Sequence, residues 1–315
     1  MRDPFGREVR YLRASITDLC DLRCRYCMPA EGVAKGRHED MSSEDEIIWA
    51  IEAAAGLGVR KVRITGGEPL GKPNVVSICR RAARVDGVEE LCLTTNGTRL
   101  AEMAGALREA GVRRVNVSLD TLDPAKYAHM TRGGDLSRAL AGLEAALVAG
   151  FERVKVNVVL IGGFNDDEMG ALADMTRERD LDVRFIELMP MAGAERFGPG
   201  AYVSAVEALE RLGELEPVGM DGVARMWRFR GARGRVGAIA PIGHAFCARC
   251  DRIRLTADGR VRPCLCSDAE ISIKGLDRAA MVEALRAAIS AKPHGHGMGP
   301  GRGSAATRSM DRIGG

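Results

Sequence analysis

The pentapeptide KVRIT, residues 61–65, sets Val62 and Ile64 against Lys61, Arg63 and Thr65. Successive side chains of a strand point to opposite faces, so one face of this strand is apolar and the other carries two cations. The alternation returns in VNVSLD (115–120), where Val115, Val117 and Leu119 oppose Asn116, Ser118 and Asp120. It returns again in VKVNVV (154–159), where Val154, Val156 and Val158 oppose Lys155 and Asn157. A parallel strand packed by helices on both faces reads as almost continuously apolar. A recurrent polar face points instead to a lumen that holds a ligand.

Around these segments the chain alternates strand-like and helix-like periods. VRYLRASIT (9–17), VRKVRIT (59–65), ELCLTTN (90–96), VRRVNVSLD (112–120), FERVKVNVVLI (151–161) and LDVRFIEL (181–188) read as strands. Helices are expected over 42–58, after Pro73, and over 99–110, 137–150 and 166–179. Six strand–helix units in series predict an α/β fold, an incomplete parallel (βα)6 barrel of TIM type over residues 1–190. The loops CDLRCRYC, GGEP, TTNG, SLD and ELMP follow successive strand ends, the rim where parallel barrels carry their chemistry. Residues 191–291 are expected to form a C-terminal α+β extension, with a helix over 203–212, strands near 223–230 and 234–240, and a helix over 277–289. Residues 292–315 form a Gly-rich tail whose composition supports no core of its own.

A length of 315 residues excludes a disulfide-stapled mini-protein. Apolar runs are short, and the opening MRDPFGREVR has none of signal-peptide or membrane length, which predicts a soluble, cytoplasmic protein without a membrane partner. Nine cysteines in that setting favour metal or redox chemistry over disulfides. The net charge is only +3, yet residues 224–263 hold ten arginines against two aspartates, which points to an anionic ligand near the C-terminal third.

Cys20, Cys24 and Cys27 lie in TDLCDLRCRYCMP (17–29). Four thiolates ordinarily hold an iron–sulfur cube; three leave one iron open, as a reactive centre needs. A second triad lies in FCARCDRIRLTADGRVRPCL (246–265), where a hairpin turning at ADGR can fold Cys264 back onto Cys247 and Cys250. A zinc ribbon is the competing reading there, and Cys266 stays open as a fourth ligand. Cys79 and Cys92 read as buried small apolar residues. Arg252 and Arg254 alternate with Ile253 beside this triad, and guanidinium forks suit phosphate oxygens and ring acceptors. A solvated basic hairpin is the plainer alternative.

The spacing of the first triad, with an aromatic residue before its last Cys and GGEP on the next strand end, resembles the radical S-adenosylmethionine (SAM) superfamily. The resemblance narrows to the GTP 3′,8-cyclase family of molybdenum cofactor biosynthesis through LRASITDLCDLRCRYCMPAEG, VRITGGEPL, LTTNG, VNVSLDTL, VKVNVVLIGGFND, RFIELMPM, FCARCDRIRLTADGRVRPCL and the terminal IGG. It covers nearly the whole chain.

That resemblance implies two [4Fe-4S] clusters and S-adenosyl-L-methionine as cofactors, and GTP as substrate. Cys20, Cys24 and Cys27 would hold the first cluster, and Tyr26, Gly67, Ser118 and Met189 would line S-adenosylmethionine. Cys247, Cys250 and Cys264 would hold the second cluster, whose open iron binds guanine. Arg13, Arg63, Thr94, Lys155, Arg252 and Arg254 would contact GTP, and the catalytic tail would insert Gly314 and Gly315 into the site. A 5′-deoxyadenosyl radical would take hydrogen from ribose C3′, and the carbon radical would attack guanine C8. A downstream cyclic pyranopterin monophosphate synthase and an unidentified electron donor are implied partners; a homodimer stays open. One departure is visible: after GGEP the family continues Leu-Arg-Arg-Asp, whereas here Leu70-Gly71-Lys72-Pro73 follows, with Pro73 expected at a first helical position. Two rival readings remain, a two-cluster radical enzyme acting on a peptide or other small molecule, and an RNA-binding module over 224–263. The second lacks aromatics for base stacking, with only Trp227 and Phe229, so no nucleic acid partner is expected.

Overall fold

A computed structural model describes the chain except residues 33–37, 192, 199, 299–302, 305 and 315. Its first half runs β1 (Tyr11–Ser15), α1 (Glu44–Gly56), β2 (Lys61–Thr65), α2 (Val75–Ala82), β3 (Glu90–Thr95), α3 (Leu100–Glu109) and β4 (Arg114–Ser118). It continues with α4 (Pro124–Thr131), α5 (Leu136–Val148), β5 (Arg153–Leu160), α6 (Met169–Glu178) and β6 (Leu181–Glu187). The six strands neighbour one another in chain order and all are parallel.

Local chemistry sets the helix starts. Ser43 and Glu46 form a reciprocal capping box on α1, and Asp123, Asp135 and Asp277 accept backbone N–H bonds at three other N-termini. Helix α4 was not among the expected elements; its signal is only Asp123-Pro124, and it spans eight residues that bury Tyr127 and Met130. Pro73 lies before Asn74, the N-cap of α2, rather than at the first helical position, because a short 3-10 turn over Pro69–Gly71 uses the preceding residues.

The second half comprises α7 (Ala205–Arg211), β7 (Leu215–Asp221), β8 (Ala224–Phe229), β9 (Arg235–Ile239), β10 (Arg252–Leu255), β11 (Arg260–Arg262), β12 (Ile271–Ser272), α8 (Arg278–Ser290) and α9 (Met310–Ile313). These strands extend the sheet already present. β9 joins β6 in parallel and β10 joins β1 in parallel, giving one twelve-stranded sheet in the order β12-β11-β10-β1-β2-β3-β4-β5-β6-β9-β8-β7. Edge strand β7 was not expected; Pro217 and a register shift before Gly219 blur its pattern. The tail finds a core in the rest of the molecule, burying Ile313 completely. Among the described residues no helix is long and apolar enough to cross a membrane.

The apolar strand residues Val62, Ile64, Val115, Val117, Val154, Val156 and Val158 share one core cluster with the helices. The polar face is buried too: Arg63, Lys155 and Arg254 are only 4%, 3% and 6% exposed. Buried charge is costly unless paired. Toward the N-terminal strand ends, pairing is dense. Arg235 donates to both oxygens of Asp182 at 3.0 and 2.7 Å, Lys155 pairs with Asp221, and Glu90 pairs with Lys61 and, at 3.3 Å, with Arg114. Replacing the fully buried Asp182 with alanine removes the two-oxygen partner of Arg235 and leaves Asp221 to serve both Arg235 and Lys155, and urea denaturation is expected to show a loss of about 3 kcal/mol. An unchanged midpoint would show that this end does not depend on the pair.

Candidate active site

Strand register aligns the cations on the polar face. Arg254 on β10 faces Arg13 on β1, which faces Arg63 on β2, while Tyr11 lies between Arg252 and Lys61. Arg63 Nε donates to the Tyr11 hydroxyl at 2.5 Å, and its Nη1 donates to the Leu93 carbonyl at 2.9 Å and Thr94 Oγ1 at 3.4 Å. Arg252 lies over the rings of Tyr11 and Phe246, at 5.6 and 5.5 Å. Burial, then Arg254, pulls Arg13 well below the usual guanidinium range; burial, then Arg252, pulls Arg254 down to about 10. Burial and then Arg63 do the same to Arg184, also to about 10. Positive charge is concentrated on this face, so it suits a polyanion.

Arg13, Arg63, Thr94, Arg252 and Arg254 therefore share one patch. Lys155 lies further along the sheet; burial and then Arg184 depress it to about 8, although Asp221 pulls the other way. Two cations of this face, Lys61 and Arg184, were not among the expected site residues. Lys61 carries the alternation of its own strand, and Arg184, which donates to Asn157 Oδ1 at 3.1 and 2.8 Å, alternates with Val183 and Phe185. Cys92 was expected to be buried, and is, but it belongs to the polar face in register with Arg63 and lies 3.0 Å from Glu90 Oε1.

The loop after β1 carries the first triad. The Cys27 N–H donates to the Cys24 carbonyl at 2.9 Å, and the Leu22 N–H donates to Cys20 Sγ at 3.4 Å. Burial, then Cys27, Asp120 and Cys20, pushes the Cys24 thiol far up, and burial pushes Cys20 up to about 12. Three soft sulfurs within electrostatic reach of one another, costly to ionise alone, are a donor set that fits an iron–sulfur core. Tyr26 donates to Asp120 Oδ2 at 2.9 Å, and Cys24, Tyr26 and Ser118 line one cavity of about 30 Å³. Burial pushes Asp120 up to about 6 and Glu68 of the GGEP turn up to about 7. Met189 lies just past β6, half-buried.

Gly67 has a sharper role than leaving space for a cofactor. A Cβ there would lie 2.3 Å from the Leu19 carbonyl oxygen, and one at Gly66 would lie 2.7 Å from that of Thr17. The N–H groups of Gly67 and Glu68 donate to those same carbonyls at 2.7 Å each. The paired glycines thus dock the thiol loop onto the end of β2.

The second triad occupies the opposite end of the sheet. Cys247 and Cys250 precede β10, and Cys264 follows the antiparallel β11, whereas the first triad follows β1, parallel to β10. A five-residue strand places the two ends roughly 15 Å apart along the polar face. Arg7 Nη1 donates to the Cys247 carbonyl at 2.8 Å. The Cys266 N–H donates to Cys264 Sγ at 3.4 Å; a side-chain hydrogen bond between the two thiols holds that of Cys264 down and pushes that of Cys266 up. Three neighbouring sulfurs again form a soft donor set. Among the described residues, no three His, Cys, Asp or Glu side chains gather about a single metal ion.

From the tail, Gly314 reaches the polar face at a φ of +85°, its carbonyl accepting from Arg254 Nη1 at 2.5 Å. A Cβ there would lie 2.8 Å from Ser15 Cβ and 3.0 Å from Thr65 Oγ1. Gly315 lies outside the described residues.

Residues 14–176 match the Radical SAM superfamily, and residues 181–298 match Molybdenum Cofactor Synthesis C. The chain is 47% identical over 326 residues to a GTP 3′,8-cyclase of Moorella thermoacetica and 43% identical over 320 residues to one of Alkaliphilus oremlandii, with 100% of each chain covered. Its fold resembles Streptococcus suis SuiB bound to S-adenosylmethionine, with a TM-score of 0.60 and 14% identity over 86% of this chain and 64% of that one. The chain belongs to the radical SAM superfamily and, within it, to the GTP 3′,8-cyclase family. That membership brings S-adenosylmethionine and iron–sulfur clusters as cofactors.

Gly67→Ala tests the docking role: the reconstituted variant should lose about half its iron while the second site stays loaded, since a Cβ at 2.3 Å from backbone cannot be accommodated without moving the loop. Full iron content by anaerobic assay would refute it.

Proposed function

We propose that this enzyme cyclises GTP to (8S)-3′,8-cyclo-7,8-dihydroguanosine 5′-triphosphate, the first step of molybdenum cofactor biosynthesis. The observation that carries the reading is the register-aligned row Arg254, Arg13, Arg63, with Arg254 and Arg63 buried, between two thiol triads in a chain with full-length GTP 3′,8-cyclase relatives. Residues 1–190 form an incomplete (βα)6 barrel whose lumen is the polar face, residues 191–291 a C-terminal α+β extension carrying the second cluster, and residues 292–315 the tail. Cys20, Cys24 and Cys27 hold one cluster and Cys247, Cys250 and Cys264 the other. When bound, the clusters and S-adenosylmethionine supply a hydrogen-abstracting radical and the electron that follows it.

The chain's own residues bind and orient. Arg13, Arg63 and Lys155 neutralise the triphosphate, which brings about four negative charges into a low-dielectric space and could not be desolvated without them. Thr94, Arg252 and Arg254 contact the nucleoside; the two guanidiniums offer forks for ring acceptors or phosphate oxygens. Tyr26, held by Asp120, and Gly67, Ser118 and Met189 receive S-adenosylmethionine. Gly314 and Gly315 cap the site, and a side chain at position 314 would crowd Ser15 and Thr65. Fixing the ribose against the reacting group converts an intermolecular step into a near-unimolecular one. An electron donor and a downstream cyclic pyranopterin monophosphate synthase complete the pathway in the cytoplasm. The oligomer includes the homodimer among its alternatives.

Anaerobic turnover with dithionite should consume S-adenosylmethionine only when GTP is present and yield a cyclised nucleotide on chromatography. The Cys247/Cys250/Cys264→Ala variant should keep the first cluster and lose cyclisation; a variant that still cyclised GTP would end the role given to the second triad.

Lys155 gives a pH signature. Its protonated form binds the triphosphate, and its pKa is depressed to about 8, so GTP affinity should fall as pH rises through about 8. Lys155→Arg, charged throughout, should flatten that limb. Equal pH profiles for the two proteins in equilibrium binding would remove Lys155 from the phosphate site.

A further inference from the structure

Lys292 follows α8 and is only 3% exposed. A lysine this deeply buried ordinarily meets a carboxylate, because an isolated ammonium in a dry interior carries a heavy desolvation cost. Its Nζ instead donates to the Arg252 carbonyl at 2.7 Å, the Pro263 carbonyl at 3.0 Å and Cys250 Sγ at 3.5 Å. Two carbonyl dipoles and a neutral thiol do not balance a full charge. The three partners also come from the two segments that carry the second triad: Cys250 and Arg252 from the first, and Pro263, beside Cys264, from the second.

We propose that Lys292 is a positioning residue for the second iron–sulfur site, its ammonium clamping the Cys250 loop to the Cys264 arm and serving as the counter-charge of the loaded cluster. The proposal rests on the reading that Cys247, Cys250 and Cys264 hold a [4Fe-4S] cluster. Three thiolates on an oxidised cube leave one net negative charge, and reduction by one electron adds another. A buried cation donating to one of those thiolates stabilises the oxidised cluster and the reduced form still more, so it raises the reduction potential. Binding the two segments at once also fixes the spacing of the sulfurs before the cluster is loaded. Lys292 thus contributes through the cluster and its ligands rather than by touching GTP.

The full-length Cys20/Cys24/Cys27→Ala chain isolates the second site. In it, Lys292→Met and Lys292→Arg are reconstituted anaerobically, iron per chain is counted, and the cluster is titrated with dithionite under electron paramagnetic resonance. The Met variant is expected either to lose its iron, with the Arg variant keeping it, or to keep it with a reduced-to-oxidised ratio about tenfold lower at fixed potential, a 59 mV shift for one electron. Iron content and potential equal to those of the parent in the Met variant would overturn the proposal. So would iron loss in both variants, which would make the side chain's shape decisive and not its charge. An iron-free parent would instead overturn the reading of the second triad, separating the two failures.

Discussion

The molecule is organised around positive charge confined to one face of a parallel sheet. Arg254, Arg13 and Arg63 are adjacent in register, so each guanidinium is held beside another in a space largely closed to water. Like charges in that setting oppose folding, and the depressed affinity of Arg13, Arg184 and Arg254 for their protons expresses the cost. The fold offsets part of it locally. Tyr11, the Leu93 carbonyl and the Gly314 carbonyl accept from the guanidiniums, and Asp182, Asp221 and Glu90 neutralise the end nearest the strand N-termini. The guanidiniums between the two triads are the part of this face that suits an anionic guest.

A parallel sheet makes this arrangement possible because its strand ends are distinct. All loops leaving β1 to β6 emerge on one side, which collects the first thiol loop, the GGEP turn and the segment around Asp120. Close docking there depends on glycine: the Thr17–Leu19 backbone lies where the side chains of residues 66 and 67 would be. The other side receives segments that enter β1 and β10, which brings Arg7, Cys247 and Cys250 together. β1 belongs to both ends, so a shift of its register would move both sulfur sites relative to the arginines.

Much of this was legible in the sequence, for physical reasons that also mark the limit. Period-two alternation in KVRIT, VNVSLD and VKVNVV reports which side chains share a face, and it singles out Arg63, Ser118 and Lys155 from the sequence alone. The thiol spacings were legible because ligands of one loop must lie close in the chain. Strand order beyond residue 190 was not legible, since pairing of β9 with β6 and of β10 with β1 is a long-range choice that leaves no local period. Helix α4 and strand β7 were missed where the pattern was short or broken by Pro217 and Gly219. Asp221, the partner of Lys155, is an unremarkable acid beside a hairpin turn, and the burial of Lys292 contradicts the solvated state that lysine ordinarily adopts.

The Gly-rich tail shows how composition can mislead about order. A segment that cannot form its own core can still be ordered by one that exists, provided it brings a few apolar anchors and enough polar contacts. Here Ile313 is fully buried, Arg308 donates to Asp258 at 3.1 and 2.9 Å and to Glu270 at 3.2 Å, and the Thr307 N–H donates to Asp268 at 2.9 Å. These contacts lie on and just after the β10–β11 hairpin, the same element that supplies Arg252 and Arg254 to the polar face. One hairpin therefore both charges the site and fastens the segment that carries Gly314 into it. The left-handed φ of Gly314 and the narrow gap between Ser15 and Thr65 then explain why a glycine stands at position 314, directly after the anchor at Ile313.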